Sequence, residues 1–252
     1  MKYIFIAFIF FACKNISKTF EPEIPKISTE VLDTIKSIPA KIVATPGLFE
    51  TAFINGTAQK VNGISSRFYG VTIGKIKIPS GHIIACDPMH IDEYGKPFTQ
   101  VFPTGEFPVQ LSIAKFDDGE TIAFARIHFS DEPVVNWEFA LLEGQAPMPV
   151  GGEEMHGYSV DTGVGIFIDE EAGRALDRDK VTRTDEGIYQ EMAKHYHYNW
   201  RYAMYNFGNH NMAAFSSGIG DGYYATYIGF DATGQPCRLL TDFGLFNWRQ
   251  RR

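Results

Sequence analysis

Phe107-Pro-Val-Gln-Leu-Ser-Ile-Ala114 alternates large apolar side chains with small or polar ones. Side chains of a β-strand point to opposite faces in turn, so this period of two predicts a strand that buries one face. Residues 121–129 and 133–142 show the same pattern. The segments Asp117-Asp118-Gly119 and Ser130-Asp131-Glu132 are typical of turns between strands. Together these segments predict an antiparallel meander.

Two further hairpins are predicted on either side of this meander. Residues 76–78 and 82–86 are joined by Pro79-Ser80-Gly81, and residues 223–230 and 237–243 are joined by Asp231-Ala232-Thr233-Gly234. Capping residues and apolar residues at helical spacing predict short helices over residues 29–38, after Thr45-Pro46, over residues 169–176 with Asp169 as the cap, and over residues 184–197.

The composition favours the same architecture. Aromatic residues make up 14% of the 252 residues, and 24 Gly and 13 Pro favour short strands and turns over a helical bundle. We therefore predict an α+β fold, with a single domain over residues 29–252. Antiparallel β-strands, as a meander and hairpins, dominate this domain, and a few short helices accompany them.

The first 13 residues have the features of a secretion signal. Lys2 supplies a positive charge, and the apolar run over residues 3–12 is too short to span a membrane as a helix. The small residue Ala12 followed by Cys13 resembles a bacterial lipobox, which implies cleavage before Cys13 and lipidation of its thiol. Residues 14–28 are polar, contain two prolines and are predicted to form a tether. The alternative is a buried N-terminal strand in a cytoplasmic protein.

These features place the protein in the cell envelope, held at the membrane by a lipid anchor. If Cys13 is lipidated, Cys86 and Cys237 remain, and one disulfide can form between them in an oxidising compartment. Cys86 lies in an apolar run, which favours a buried, inert thiol. The net charge of −7 argues against a nucleic-acid partner, because phosphate binding requires a basic surface.

Six ordered blocks of sequence carry a resemblance to a known family. The chain resembles the bacterial DUF4241 family from about residue 70 to residue 243, in the blocks Ile78-Pro-Ser-Gly-His-Ile-Ile-Ala-Cys-Asp-Pro88, Phe107-Pro-Val-Gln-Leu111, Ala123-Phe-Ala-Arg126, Trp137-Glu138, Gly157-Tyr-Ser-Val-Asp-Thr-Gly163 and Gly220-Asp-Gly222 with Asp242-Phe243. The family is a domain of unknown function, so the resemblance implies a conserved module and no assigned substrate or catalytic residue. A lipoprotein leader departs from the cytoplasmic form expected for the family.

Three aspartates in loops are the candidate catalytic or metal-binding residues. Asp87 precedes a proline, Asp161 precedes Thr-Gly-Val-Gly, and Asp221 lies between two glycines. Loop carboxylates bind metals and act as acids or bases, although aspartate also caps helices and closes turns. If the three converge on one cation, they form the site of a metal-dependent hydrolase. No motif identifies a cofactor.

Other chemical classes lack support in the sequence. His195 and His197 are two residues apart in a predicted helix and therefore point in different directions, and no other histidine pair has zinc-ligand spacing. No serine lies in a G-x-S-x-G motif. Glu138 and Arg126 are predicted to form a salt bridge between neighbouring strands.

The principal functional hypothesis is a binding or protective module of the envelope, with a protein partner. Its predicted hot spots are the aromatic residues Trp200, Tyr202 and Tyr205, because aromatic side chains dominate the energetics of protein interfaces. The alternative for these residues is that they alternate into the core. The competing functional hypothesis is the metal-dependent hydrolase based on Asp87, Asp161 and Asp221.

Overall fold

A computed structural model describes residues 42–44, 47–61, 64–183 and 186–251. These residues form antiparallel sheets with a few short helices, so the predicted fold class is confirmed. The predicted leader, tether and helix over residues 29–38 lie outside the described residues.

The strands form most of the regular secondary structure of the described residues. In chain order they are β1 (Ile42–Ala44), β2 (Ala58–Val61), β3 (Ile64–Ile78), β4 (Ile83–Cys86), β5 (Gly105–Phe116), β6 (Gly119–His128), β7 (Asn136–Phe139), β8 (Tyr158–Val160), β9 (Val164–Asp169), β10 (Tyr196–His197), β11 (Trp200–Phe207), β12 (His210–Ser216), β13 (Gly222–Phe230), β14 (Pro236–Asp242) and β15 (Arg249–Arg251).

The helices have only one or two turns each. They are α1 (Leu48–Thr51), α2 (Ile91–Tyr94), α3 (Glu170–Ala175), α4 (Arg178–Val181) and α5 (Ile188–Ala193), together with a 3₁₀ turn at Pro88–His90. Within the described ranges, no helix is long and apolar enough to cross a membrane.

Two antiparallel sheets form the body of the domain. The larger sheet has the order β2-β3-β5-β6-β14-β13-β7, and β8 also pairs with β13. The smaller sheet has the order β10-β11-β12-β9-β4, and β1 pairs separately with β15. The predicted hairpin over residues 223–243 is confirmed as β13 and β14. The predicted pairing of residues 107–129 is confirmed as β5 and β6.

The order of strands differs from the predicted meander at one place. β7 does not pair with β6, because the β13–β14 hairpin lies between them. This insertion also explains why the predicted salt bridge between Arg126 and Glu138 is wrong. The two residues lie on strands that are not neighbours, and Glu138 instead accepts a hydrogen bond from Asn136.

The predicted hairpin of residues 76–78 with residues 82–86 is also wrong. β3 belongs to the larger sheet, whereas β4 pairs with β9 in the smaller one, so the chain passes between sheets at this turn. The buried Asp169 carboxylate fixes this passage by accepting hydrogen bonds from the backbone and hydroxyl of Ser80. It also accepts from the Glu171 backbone, so the predicted cap of α3 is confirmed.

The predicted helix over residues 184–197 is shorter than expected. It is α5, which ends at Ala193, and the chain then turns into β10. His195 and His197 therefore do not lie on a helix, and both rings stack on Tyr202. The helical turn predicted after Thr45-Pro46 is confirmed as α1, with Leu48 and Ala52 buried.

Three apolar layers follow from the alternation of side chains. A central core lies between the two sheets and includes Leu111, Ile113 and Phe167. A second core lies on the other face of the larger sheet, where Phe49 of α1 packs against the rings of Phe124, Trp137, Tyr227 and Trp248. A third core lies under α2 to α5 on the other face of the smaller sheet.

One carboxylate joins α1 to the larger sheet. Glu50 pairs with the buried guanidinium groups of Arg126, at 2.9 Å, and Arg238, at 3.2 Å. Arg126 also donates to Gln110 and lies over the Phe53 ring, 3.8 Å from its centroid. Burial lowers the pKa of Arg126 to about 10, and the Glu50 carboxylate offsets part of that effect. Glu50 is therefore the counter-ion of two buried cations.

Replacing Glu50 by alanine should lower the free energy of unfolding by about 3 kcal/mol, because both arginines would then be buried without a carboxylate. This loss is at the low end of what breaking a buried ion pair costs, because 34% of the Glu50 side chain is exposed to solvent. Urea denaturation of Glu50→Ala and of the control Glu138→Ala measures the difference. Replacing the exposed Glu138 should lower the free energy of unfolding by less than about 0.5 kcal/mol. Equal losses in the two variants would contradict this account.

Candidate binding cleft

A cleft of about 710 Å³ lies at one end of the two sheets. The turn between β5 and β6 forms one wall. The opposite wall comes from the start of β9, the β10–β11 turn and the loop after β12. Strands therefore hold every segment of the cleft, which makes it a preformed site of the size usual for ligand binding.

Two glycine turns shape the wall on the side of the smaller sheet. Gly163 and Gly218 have φ angles of 65° and 55°, a backbone region that favours glycine. A Cβ atom at Gly218 would lie 2.7 Å from the Cβ of Phe243. The Ser217 N–H donates to the Gly163 carbonyl, and the Tyr224 hydroxyl donates to the Gly220 carbonyl. These bonds join the two turns into one fixed surface.

A buried carboxylate, Glu120, lines the cleft. Its Oε2 atom accepts a 2.6 Å hydrogen bond from the Tyr69 hydroxyl and a longer one of 3.5 Å from the Trp200 indole. Its Oε1 atom lies 3.5 Å from the Lys115 ammonium. Burial and the neighbouring Glu120 charge raise the pKa of Tyr69, so this hydroxyl stays protonated and keeps donating. Glu120 is thus held in one position.

Three other polar side chains of the cleft have no partner among the described residues. The side chains of Asp118, Asn199 and Arg201 line it and form no hydrogen bond or ion pair with the described residues. A half-buried guanidinium without a carboxylate offers several donors in a plane. The cleft therefore presents a donor group and acceptor groups to a ligand.

Exposed apolar side chains surround the opening. Ile219 and Tyr196 line the cleft with 83% and 60% of their surface exposed, and Tyr198 is 66% exposed in the adjoining turn. Tyr198 has a φ angle of 48°, which is uncommon for a bulky residue and places strain in this turn. Large apolar side chains left in water around a polar cleft are characteristic of binding sites.

The structure gives Asp87 a structural role. Its buried carboxylate accepts from the backbone of Met89, Asp161 and Thr162 and from the Thr162 hydroxyl, at 2.8 to 2.9 Å. The three charge-assisted bonds from Asp161 and Thr162 join the end of β4 to the β8–β9 turn, and the bond from Met89 caps the 3₁₀ turn. Both carboxylate oxygens are therefore occupied by protein donors.

Asp161 and Asp221 do not join Asp87 in a metal site. The Asp161 side chain is 66% exposed and lies 3.2 Å from the His90 ring nitrogen, whereas Asp221 is exposed near the cleft. Across the described ranges, no group of three or more His, Cys, Asp or Glu side chains is placed to hold a metal ion. The predicted convergence on one cation is therefore not found.

The predicted aromatic hot spots have different surroundings. Trp200 is only 3% exposed and packs in the central core, so its prediction as an exposed hot spot is wrong. Tyr202 is half-buried against the same core, and Tyr205 is half-buried against the third core. Successive residues of β11 face opposite sides of a sheet that is covered on both faces, which explains this burial.

The two cysteines within the described residues are not joined by a disulfide. Cys86 and Cys237 are buried and free, so they form no disulfide with each other. Burial raises the pKa of both thiols, which disfavours the reactive thiolate. The expectation of an inert Cys86 agrees with this finding, and Cys13 lies outside the described residues.

Comparison with known proteins adds a family. The family model described as "Protein of unknown function (DUF4241)" matches residues 76–241, about two thirds of the chain. The chain belongs to the DUF4241 family. The DUF4241 match covers every segment of the cleft except Leu245. No curated protein and no solved structure matches the chain.

The sequence patterns do not identify several cleft residues of this DUF4241 protein. Glu120 lies directly after a turn and gives no local sign of burial, Tyr196 falls in a segment predicted to be helical, and Tyr198 directly follows that segment. The dense glycines at 218, 220 and 222 were the available signal for the loop. Their positive φ angles at 218 and 220 show why glycine occurs there.

Proposed function

We propose that this protein is a binding or protective module of the bacterial cell envelope, whose cleft receives a segment of a protein partner. The ring of exposed Tyr196, Tyr198 and Ile219 around the cleft carries the proposal. Tyrosine and arginine are enriched among the residues that dominate protein interfaces, and Arg201 lies unpaired inside the ring. These residues replace Trp200, Tyr202 and Tyr205 as the hot spots.

The charges that line the cleft indicate which kind of partner segment it can bind. Asp118, Glu120 and Arg201 line the same cavity, so the cleft has both signs and suits a peptide segment with polar and charged groups. The net charge of −7 favours such a partner over nucleic acid. The fixed glycine turns reduce the conformational entropy that binding costs.

A photo-cross-linking amino acid at position 196 should form adducts with a partner in cells that produce the native chain. The same amino acid at Val135, which is 63% exposed and lies outside the cleft, is the matched control. Adding Tyr198→Ser and Ile219→Ser to the position 196 variant should remove most of the adduct, because these changes remove apolar contact area at the opening.

Gel mobility and mass spectrometry identify the adducts. Identical adducts from positions 196 and 135, or none from position 196, would contradict the assignment of the cleft as the partner site.

The proposed envelope location rests on Lys2, the apolar run and Cys13. Lipidated Cys13 would hold the domain at the membrane through acyl chains, and residues 14–28 would act as the spacer. This anchor is independent of the cleft, so the location and the binding role are tested separately.

Cys13→Ser should abolish labelling by a radioactive fatty acid in a bacterial host and should move the protein out of the membrane fraction. Cys237→Ser, which changes a buried thiol inside the fold, is the control and should leave labelling unchanged. A soluble wild-type protein that keeps Met1 and takes up no label would overturn the envelope location.

A further inference from the structure

A second cavity, of about 390 Å³, shares no lining residue with the cleft. It lies between β4, β8 and β13, and Ala85, Phe98 and Ala140 of the central core form part of its wall. A partly open cavity with mostly apolar walls and a few polar groups is the usual form of a small-molecule pocket.

The pairing of β13 explains why this cavity exists. β8 pairs with Gly222 to Tyr224, and β7 pairs with Tyr227 to Phe230, so two short strands divide one edge of β13. Between these two strands, the Thr226 carbonyl accepts a hydrogen bond from the Ala140 backbone N–H. This is the one backbone bond that Thr226 forms on that side among the described residues. The sheet is therefore open beside Thr226, and the opening leads to the central core.

The inner end of the cavity has hydroxyl groups with hydrogen-bonding capacity to spare. The buried Thr226 hydroxyl lies 2.9 Å from the Thr241 hydroxyl, and this pair uses only one of its two hydrogens. The Tyr158 hydroxyl is buried close to the Thr241 hydroxyl but forms no hydrogen bond of good geometry with the described residues. A polar atom of a ligand at this end would satisfy groups whose burial is otherwise costly.

The mouth of the cavity has aromatic rings and one unpaired cation. Tyr94 and Tyr223 are 61% and 47% exposed. Lys96 is exposed and has no carboxylate partner among the described residues, whereas the neighbouring Glu93 lies 3.7 Å from His90. A single lysine beside an acidic residue suits a ligand with one negative charge better than a phosphate.

We propose that this cavity binds a small aromatic carboxylate with a hydroxyl group at the far end of its ring. The ring lies among Phe98, Ala85 and Ala140, the carboxylate pairs with Lys96, and the ligand hydroxyl meets Thr226. Aromatic walls favour a flat ring through edge and face contacts. A cavity of about 390 Å³ has room for a small molecule and not for a folded protein.

Calorimetric titration of the full chain tests this proposal with 3-(4-hydroxyphenyl)propionate, with 3-phenylpropionate, which lacks the hydroxyl, and with 3-(4-hydroxyphenyl)propanamide, which lacks the charge. The hydroxy acid should bind most tightly. Lys96→Met should weaken the two acids about fivefold, the upper range for an exposed ion pair, and should leave the amide unchanged. The matched control is Lys60→Met, on an exposed residue of β2 at the opposite edge of the sheet, which should leave all three affinities unchanged.

Ala140→Leu should abolish binding of all three compounds, because the larger side chain occupies the place proposed for the ring. The methyl NMR signals of Ala85 and Ala140 in the unaltered protein give a readout that does not depend on a variant, and both should shift on addition of the hydroxy acid. Binding without these shifts, equal loss of acid and amide in Lys96→Met, or no binding of any compound would overturn the proposal.

Discussion

The Asp87 carboxylate is the contact on which both cavities depend. It ends β4 and accepts four hydrogen bonds, three of them from Asp161 and Thr162 in the turn between β8 and β9. That turn separates the two sites: Thr162 and Gly163 line the cleft, whereas Tyr158 and Ser159 line the smaller cavity. A buried carboxylate with both oxygens satisfied is favourable, and the same carboxylate without its donors would be costly.

The sheets provide the frame for this contact. Asp169 holds the passage from β3 to β4, which carries the chain from the larger sheet to the smaller one and puts Asp87 at the end of a strand buried on both faces. Glu50 joins α1 to the outer face of the larger sheet through two arginines. Three carboxylate contacts, each made between segments distant in sequence, thus fix how the layers meet.

Local sequence patterns predicted the individual strands and helices better than they predicted which strands pair with each other. Alternation in residues 107–114 gave β5 correctly, and Asp169 was correctly predicted as a helix cap, because both signals lie within a few residues. The insertion of β13 and β14 between β6 and β7 depends on contacts across about 100 residues, which no local pattern contains. For the same reason, the partner of Arg126 was wrongly predicted.

The candidate site was predictable only in part. Asp87, Asp161 and Asp221 were correctly located in loops, but only the donors around Asp87 distinguish a structural carboxylate from a metal ligand. The prediction that Trp200 is exposed is wrong because the sequence of a strand does not show whether a second sheet covers its aromatic residues. The exposed ring of Tyr196, Tyr198 and Ile219 depends on where the β10–β11 hairpin meets the loop after β12.

Amide hydrogen exchange measured by NMR tests the role of Asp87 most directly. If its carboxylate fixes the β8–β9 turn, the amides of Asp161 and Thr162 should exchange with opening free energies close to those of Ile166 and Ile168 in buried β9. The exposed amide of Gly144 supplies the reference for a turn without such a contact. Exchange of Asp161 and Thr162 as fast as that of Gly144 would contradict the account.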